Sequence, residues 1–216
     1  MARAVKRNYD ASRRQEAARR SRARILEVAR DRFLADGYAA TTLASIATEA
    51  EVSVETINKA FRNKAGVLKA MFDVAVAGDD EPVAIPDRPF VARINAEPDG
   101  RRKLEMYTEH LSDSAPRAAP VELLIRAAAG VDADIAAVWR KLQTERLTGM
   151  GMFAGHLVEA GVLRDGVDHE EARDVLWACT SSEIYEMLVL DRGWPIERWA
   201  RFVCDSVAIA LLPPST

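Results

Sequence analysis

The sequence predicts an all-α protein, built as a small N-terminal module followed by a larger helical domain. Three observations lead there. Apolar residues recur at three- and four-residue spacing through most segments, with Ser, Thr or Asp where those segments start and Gly or Pro where they stop. No stretch keeps the strict apolar–polar alternation of a half-buried strand, and no repeat or low-complexity tract interrupts the pattern. Charge is also segregated. Residues 1–64 hold fourteen Lys and Arg against eight Asp and Glu, a net of +6, while the remainder holds sixteen against twenty-five, a net of −9, for −3 overall. An evenly spread acidic charge would argue against nucleic acid. A basic N-terminal module instead suits phosphate binding, and the acidic remainder favours docking through one face.

Composition narrows the classes further. No apolar run approaches the ~20 residues of a membrane span, and the N-terminus is polar and basic, so the expected location is the cytoplasm. Cys179 and Cys204 fit no CxxC pattern and fall on apolar helix faces, as buried reduced thiols or, less simply, a redox pair. His110, His156 and His169 are scattered without metal-ligand spacing. A glycine-rich phosphate loop, a G-x-S-x-G and paired metal-binding histidines are all missing, so neither an enzyme nor a cofactor is expected.

In chain order, residues 1–11 are expected to lack structure, and Ser12-Arg13-Arg14-Gln15 reads as a capping box. Arg13, Arg14, Arg19, Arg20, Arg22 and Arg24 follow with little apolar surface. They form either a solvated helical extension or an arm that tracks phosphates or enters a minor groove. An amphipathic helix then carries Ile25, Leu26, Ala29, Phe33 and Leu34, and Gly37 ends it before Tyr38.

The stretch from Thr42 to Lys64 reads as two short helices around a tight corner. Thr42 is an N-cap whose hydroxyl can accept from first-turn N–H groups, and Leu43, Ile46, Ala47 and Ala50 follow at helical spacing. Ala50-Glu51-Val52 makes the corner, and Ser53 caps a second helix that buries Ile57 and Phe61. This is the form of a helix-turn-helix, whose second helix enters the DNA major groove, although capped pairs of core helices share many of its features. Position then assigns roles. Val54, Glu55, Thr56, Asn58 and Lys59 occupy the exposed face and leading turns of the recognition helix. Asn58 can pair with adenine, Lys59 can donate to guanine or a phosphate, and Glu55 is better read as solvated or ion-paired than as a reader of cytosine. Thr42, Ser53 and Lys64 stand at helix N-termini, where an anion is favoured, and are assigned to phosphate positioning.

Beyond Lys64 a helix to about Ala77 should end at Gly78-Asp79-Asp80-Glu81-Pro82, with Pro82, Pro86 and Pro89 marking a connector. A short helix from Phe90 to about Ala96 stops at Pro98-Asp99-Gly100. The next begins near Arg101 and carries Leu104, Tyr107, His110 and Leu111. Pro116 and Pro120 should kink or divide it before Val121–Ala129. Asp132 caps a long helix to about Ala160 with Ile135, Val138, Trp139, Leu142, Met150, Phe153 and Leu157 on one face. Gly149, Gly151 and Gly155 inside it imply close packing, a bend or tolerated weak points. Asp168 opens a helix running through Ala172, Leu176, Cys179, Glu183, Met187 and Leu190, and Pro195 starts a last one with Trp199, Phe202, Val203 and Val207. Glu183 lies on the apolar stripe, where it must pair, with an Arg or a ligand, or be protonated.

The run Ile25-Leu…Ala29…Phe33…Gly37-Tyr…Thr41-Thr42…Ile46-Ala47…Ala50…Val52-Ser53…Thr56-Ile57…Phe61…Asn63-Lys64…Leu68 resembles the DNA-binding domain of the TetR family of transcriptional regulators, over about a quarter of the chain. Three positions depart from the family pattern: Glu51 stands where Gly is usual, Asn58 where an aromatic is usual, and Ala60 where a bulkier side chain is usual. They put the operator sequence in question more than DNA binding. The resemblance implies a division into residues 1–64, arm and DNA-binding domain, and 65–216, effector and dimerisation domain. It implies a homodimer through the two C-terminal helices, reading a palindromic double-stranded operator, and an effector pocket among the central helices. Tyr107, His110, Trp139, Phe153, Trp177 and Tyr185 are the aromatic candidates for that pocket, with plain core as the alternative for each. Such a lining suits a small, largely apolar effector that releases a repressor from DNA. The rival reading keeps the fold and exchanges the small ligand for a protein partner.

Overall fold

A computed structural model describes the backbone of residues 2–214 and the side chains of residues 15–214, and every described element is helical. The helices are α1 (Ala2–Ala40), α2 (Leu43–Glu49), α3 (Val54–Phe61), α4 (Lys64–Ala77), α5 (Pro89–Ala96), α6 (Gly100–Ala128), α7 (Ala133–Glu159), α8 (His169–Cys179), α9 (Ser182–Tyr185) and α10 (Ile196–Leu211), with a 3₁₀ turn at Ile85–Asp87 and a π-helical stretch at Glu186–Asp191. The chain divides into two compact units, one through Val74 and one from Ala75 onward, so most of α4 belongs to the first unit.

The first unit is held by a small apolar core. Ile25, Val28, Ala29 and Phe33 of α1, Ile46 and Ala47 of α2, Ile57 and Phe61 of α3, and Val67, Leu68 and Met71 of α4 are all buried. Gly37 closes the regular part of α1 with a φ of 79°, and Thr41 Oγ1 donates to its carbonyl oxygen at 2.9 Å. The helix starts at Ala2 rather than near Ser12. The reason is compositional: Ala and Arg dominate and neither Gly nor Pro occurs before Gly37. The expected Ser12 cap and the side chains of Arg13 and Arg14 lie outside the described residues.

Two backbone features bracket α3. Glu51, at the corner before it, has a φ of 56°, and Arg62, just after it, a φ of 73°. Each puts a side chain in the left-handed region, at a cost of roughly 1–2 kcal/mol. Gly66 explains how α4 can follow so closely. A Cβ at this position would overlap the carbonyl oxygen of Phe61, and the Gly66 N–H is bonded at 2.8 Å to Asn63 Oδ1.

In the second unit α7 packs on α8 and α6 on α10, around Leu104, Phe153, Leu157, Leu176, Trp199, Val203, Val207 and Leu211. Gly100 opens α6 against Val162, whose Cβ would stand 2.9 Å from an added methyl group. The end of α4 is capped by two arginines. Arg88 donates to the Ala77 carbonyl oxygen at 3.5 Å and clasps Asp79 through two bonds of 2.6 and 2.8 Å, while Arg117 Nε donates to the Ala75 carbonyl oxygen at 3.3 Å. The Arg88 hydrogen bonds hold the Asp79 carboxyl down at about 2.

The second unit departs from the sequence expectations at two places. α6 is not divided: it runs through Pro116 and Pro120 as one helix. Pro116 is exposed and Pro120 half-buried, so the side that loses backbone bonds is toward water, while Ser114, Ala115, Ala119 and Val121 anchor the other side. The helix expected from Asp168 to Leu190 breaks after Cys179 and resumes as α9 and the π-helical stretch. Thr180 Oγ1 donates to the Leu176 carbonyl oxygen at 2.7 Å, and the Thr-Ser-Ser run competes locally with the helix. Within α7 no neighbour comes within 4 Å of a Cβ built on Gly149, and Gly151 and Gly155 would make only ordinary contacts, so none of the three is required by packing.

Substitution at the two ends of α3 should move stability in opposite directions. Glu51→Gly removes the left-handed penalty and loosens the unfolded chain, for a net gain of roughly 0.5–1 kcal/mol. Gly66→Ala forces the α3–α4 junction apart and should cost at least about 1–3 kcal/mol. Urea unfolding followed by circular dichroism measures both.

Candidate nucleic-acid interface and ligand cluster

An isolated helix as short as α3 is unstable in water, so its conformation depends on its cap and on its buried face. Ser53 Oγ accepts from the Thr56 N–H at 3.2 Å, and Ile57 and Phe61 are 0% and 5% exposed. Burying those two side chains contributes roughly 1.5–3 kcal/mol each. The Arg22 guanidinium of α1 lies 4.6 Å above the Phe61 ring. The opposite face is left to solvent: Glu55, Thr56, Asn58 and Lys59 are exposed, and Val54 is half-buried.

Three of the expected anion positions have distinct local geometry. Thr42 and Ser45 form a reciprocal cap on α2, with Ser45 N–H to Thr42 Oγ1 at 3.0 Å and Thr42 N–H to Ser45 Oγ at 3.2 Å. Ser53 caps α3. Lys64 differs from the other two: its ammonium donates to the Tyr38 carbonyl oxygen and sits 3.9 Å from the Tyr38 ring centroid. It ties α4 to the end of α1, and an anion there would meet the first amides of α4 rather than the ammonium. Glu55 is held below the usual carboxylate range, first by its own backbone N–H and then by the Ser53 hydroxyl. An ionised acid in the first turn complements the helix dipole.

In the second unit the structure brings together three of the six aromatic candidates. The Tyr107 and Phe153 rings are 5.0 Å apart, the Tyr107 hydroxyl donates to Met150 Sδ at 3.6 Å, and the Arg146 guanidinium lies 5.0 Å over Trp177. Burial pushes the Tyr107 hydroxyl up from its ordinary value. The other three stand elsewhere. His110 stacks on Phe90 at 3.8 Å, and burial pushes its pKa down. Tyr185 meets Trp199 edge-on at 5.4 Å in the core, and Trp139 is half-buried on α7, seven residues before Arg146.

The same region holds polar groups that the sequence reading passed over. Glu122 on α6 is 8% exposed and accepts from Gln143 Nε2 on α7 at 3.1 Å. Desolvation raises its pKa. Arg146 donates to the Trp177 carbonyl oxygen and, at 3.5 Å, to Gln143 Oε1, and desolvation pushes its pKa down. A signal was available: Leu142, Arg146 and Met150 share one face at four-residue spacing, and Glu122 sits between Ala119 and Ile125 on the inner face of α6. Glu183 does pair with an arginine, Arg126 of α6 in the same chain, at 2.8 Å, and Glu186 shares that arginine at 2.8 Å.

Residues 25–71 match the model of the bacterial regulatory proteins of the tetR family. That match is confined to the N-terminal stretch carrying the helix-turn-helix. Solved structures with the same fold include a TetR-family transcriptional regulator from a Rhodococcus species, 12% identical with a TM-score of 0.67, covering 88% of this chain and 98% of that one. A transcriptional regulator from Saccharomonospora viridis in complex with choline is 20% identical with a TM-score of 0.66, covering 90% and 99%. SmeT in its complex with triclosan is 19% identical with a TM-score of 0.66, covering 89% and 92%. No curated protein matches. The family match lies on α1–α4, and the chain as a whole is similar to those structures in fold alone. Among its described residues no helix is long and apolar enough to cross a membrane.

The raised pKa of Glu122 makes a pH prediction. The folded state holds its proton more tightly than the unfolded chain, whose glutamates titrate near about 4.3. The stability that this group contributes is therefore greatest below that value and is lost as pH rises through its folded pKa. Glu122→Gln should flatten this decline, read as the thermal midpoint of both proteins across a pH series.

Proposed function

We propose that this chain is a TetR-family regulator acting as a dimeric repressor in the cytoplasm, bound to a palindromic operator and released from it by a small, largely apolar effector. The observation that carries the DNA half is the build of α3: a capped two-turn helix whose Ile57 and Phe61 face inward and whose Thr56, Asn58 and Lys59 face out, within a basic module. Such a helix presents amide and ammonium donors to base edges, with Thr42, Ser53 and the start of α4 left for phosphates. Two copies would occupy successive major grooves about 34–36 Å apart.

Support for the dimer comes from apolar surface near the C-terminus. Phe202 is 43% and Ile209 79% exposed on α10, and Met187 and Leu190 of the π-helical stretch are about half exposed. Water-facing side chains of this size on neighbouring elements suit a self-complementary interface. Support for an effector comes from the cluster around Tyr107, Phe153 and Trp177, and from the similar structures solved with choline and with triclosan. The effector acts by preferring a conformation that fits DNA less well, with a coupling of typically 1–3 kcal/mol.

Two outcomes follow. Asn58→Ala should weaken binding to the promoter nearest the gene by about 1–3 kcal/mol and leave binding to unrelated duplex nearly unchanged, as measured by mobility shift. For any effector found by thermal-shift screening, operator DNA must weaken its binding by the same factor that it weakens DNA binding. Equal effector affinity with and without operator would sink the release mechanism.

A further inference from the structure

The interior of the second unit has more hydrogen-bond donors than acceptors at one place. Arg146 is largely buried between α6, α7 and α8, and among the described residues its hydrogen bonds go only to the Trp177 carbonyl oxygen and, at the 3.5 Å limit, to Gln143 Oε1. A guanidinium carries five N–H donors, so most of its capacity is unused. The Trp177 indole Nε1, on the ring beneath Arg146, is buried with no partner, and the buried Ser182 hydroxyl faces the Glu122 carboxyl without closing a hydrogen bond of ordinary geometry. Ser182 lies beside Glu122, whose carboxyl is already engaged by Gln143.

Unpaired buried donors are costly, and a charged donor costs more. The Tyr107 ring borders Arg146 and packs on Phe153, so the two form a largely apolar wall whose one hydroxyl donates to Met150 Sδ. The missing component is an acceptor-rich anion with an apolar body. We propose that this cluster is the head-group subsite of the effector, and that the effector carries a carboxylate, held by the Arg146 guanidinium together with the Trp177 indole N–H and the Ser182 hydroxyl. A carboxylate matches the guanidinium fork in two parallel bonds, which a neutral or cationic head group cannot do. Desolvation shifts Glu122 toward its neutral form, which lessens its repulsion of an anion. The assignment rests on the reading of this unit as an effector domain.

The test uses the full chain and five probes: benzoate, octanoate, their amides benzamide and octanamide, and benzyltrimethylammonium. At least one acid should raise the thermal midpoint, its amide should not, and the quaternary ammonium should not. Trp177→Phe and Ser182→Ala each remove an unpaired buried donor, so the ligand-free midpoint should stay level or rise, while affinity for the acid falls roughly two- to tenfold. Arg146→Gln should abolish the acid's effect, and if that variant does not fold the two milder ones decide. The assignment is overturned if neither acid shifts the midpoint, if the quaternary ammonium is the probe that does, or if both milder variants bind the acid as the parent does. Operator mobility shifts on the same samples separate this from the repressor reading. Loss of all operator binding would end that reading whatever the probes show, and an acid that binds without releasing operator would end the release mechanism and leave the subsite standing.

Discussion

The burial of Ile57 and Phe61 is the constraint on which the DNA-facing part of this protein depends. A helix of two turns has too few internal hydrogen bonds to offset the entropy of forming it. Those two side chains, four residues apart, pin it to the core formed by α1, α2 and α4 and set which face remains outside. Everything that α3 offers a base edge is a by-product of that choice. Rotating the helix by one position would bury Asn58 and expose Ile57.

The larger unit is governed by a different balance. Its apolar packing is generous, with Trp199, Leu104, Leu157 and Leu176 wholly inside, and could hold the helices without any interior charge. Placing Glu122, Gln143 and Arg146 between α6, α7 and α8 therefore lowers stability relative to an apolar filling of the same shape. Their incomplete pairing sets these residues apart from the surrounding Tyr107 and Phe153 rings, which pack on each other.

Much of this was legible in the residues. Caps at Thr42, Ser53, Asp132 and Asp168, stops at Gly37 and Gly161, and the spacing of Ile46, Ile57 and Phe61 are local rules, and the elements they mark stand where those rules place them. The failures have a common cause. Pro116 and Pro120 are helix breakers by local rule, but tertiary packing of the opposite face overrides them. The break after Cys179 is the reverse: an apolar stripe continues through residues whose hydroxyls capture the backbone. Among the central helices of the second unit, the aromatic rings stand out in the sequence, whereas the polar cluster is built by the charged residues Glu122 and Arg146 on inner faces. Lys64 shows the same limit, since sequence position cannot show that its ammonium turns inward onto Tyr38.

The two prolines have a mechanical result. Neither can donate to a carbonyl one turn earlier, so Ser112 and Pro116 are relieved of their backbone partners on the watery side of α6. Flexing the rod toward or away from that side ruptures nothing there, which makes this span its most compliant. Arg117, between the prolines, is also the side chain that grips the Ala75 carbonyl oxygen at the end of α4. Displacement of the middle of α6 thus bears on the Arg117 bond to that carbonyl, which together with Arg88 caps the end of α4.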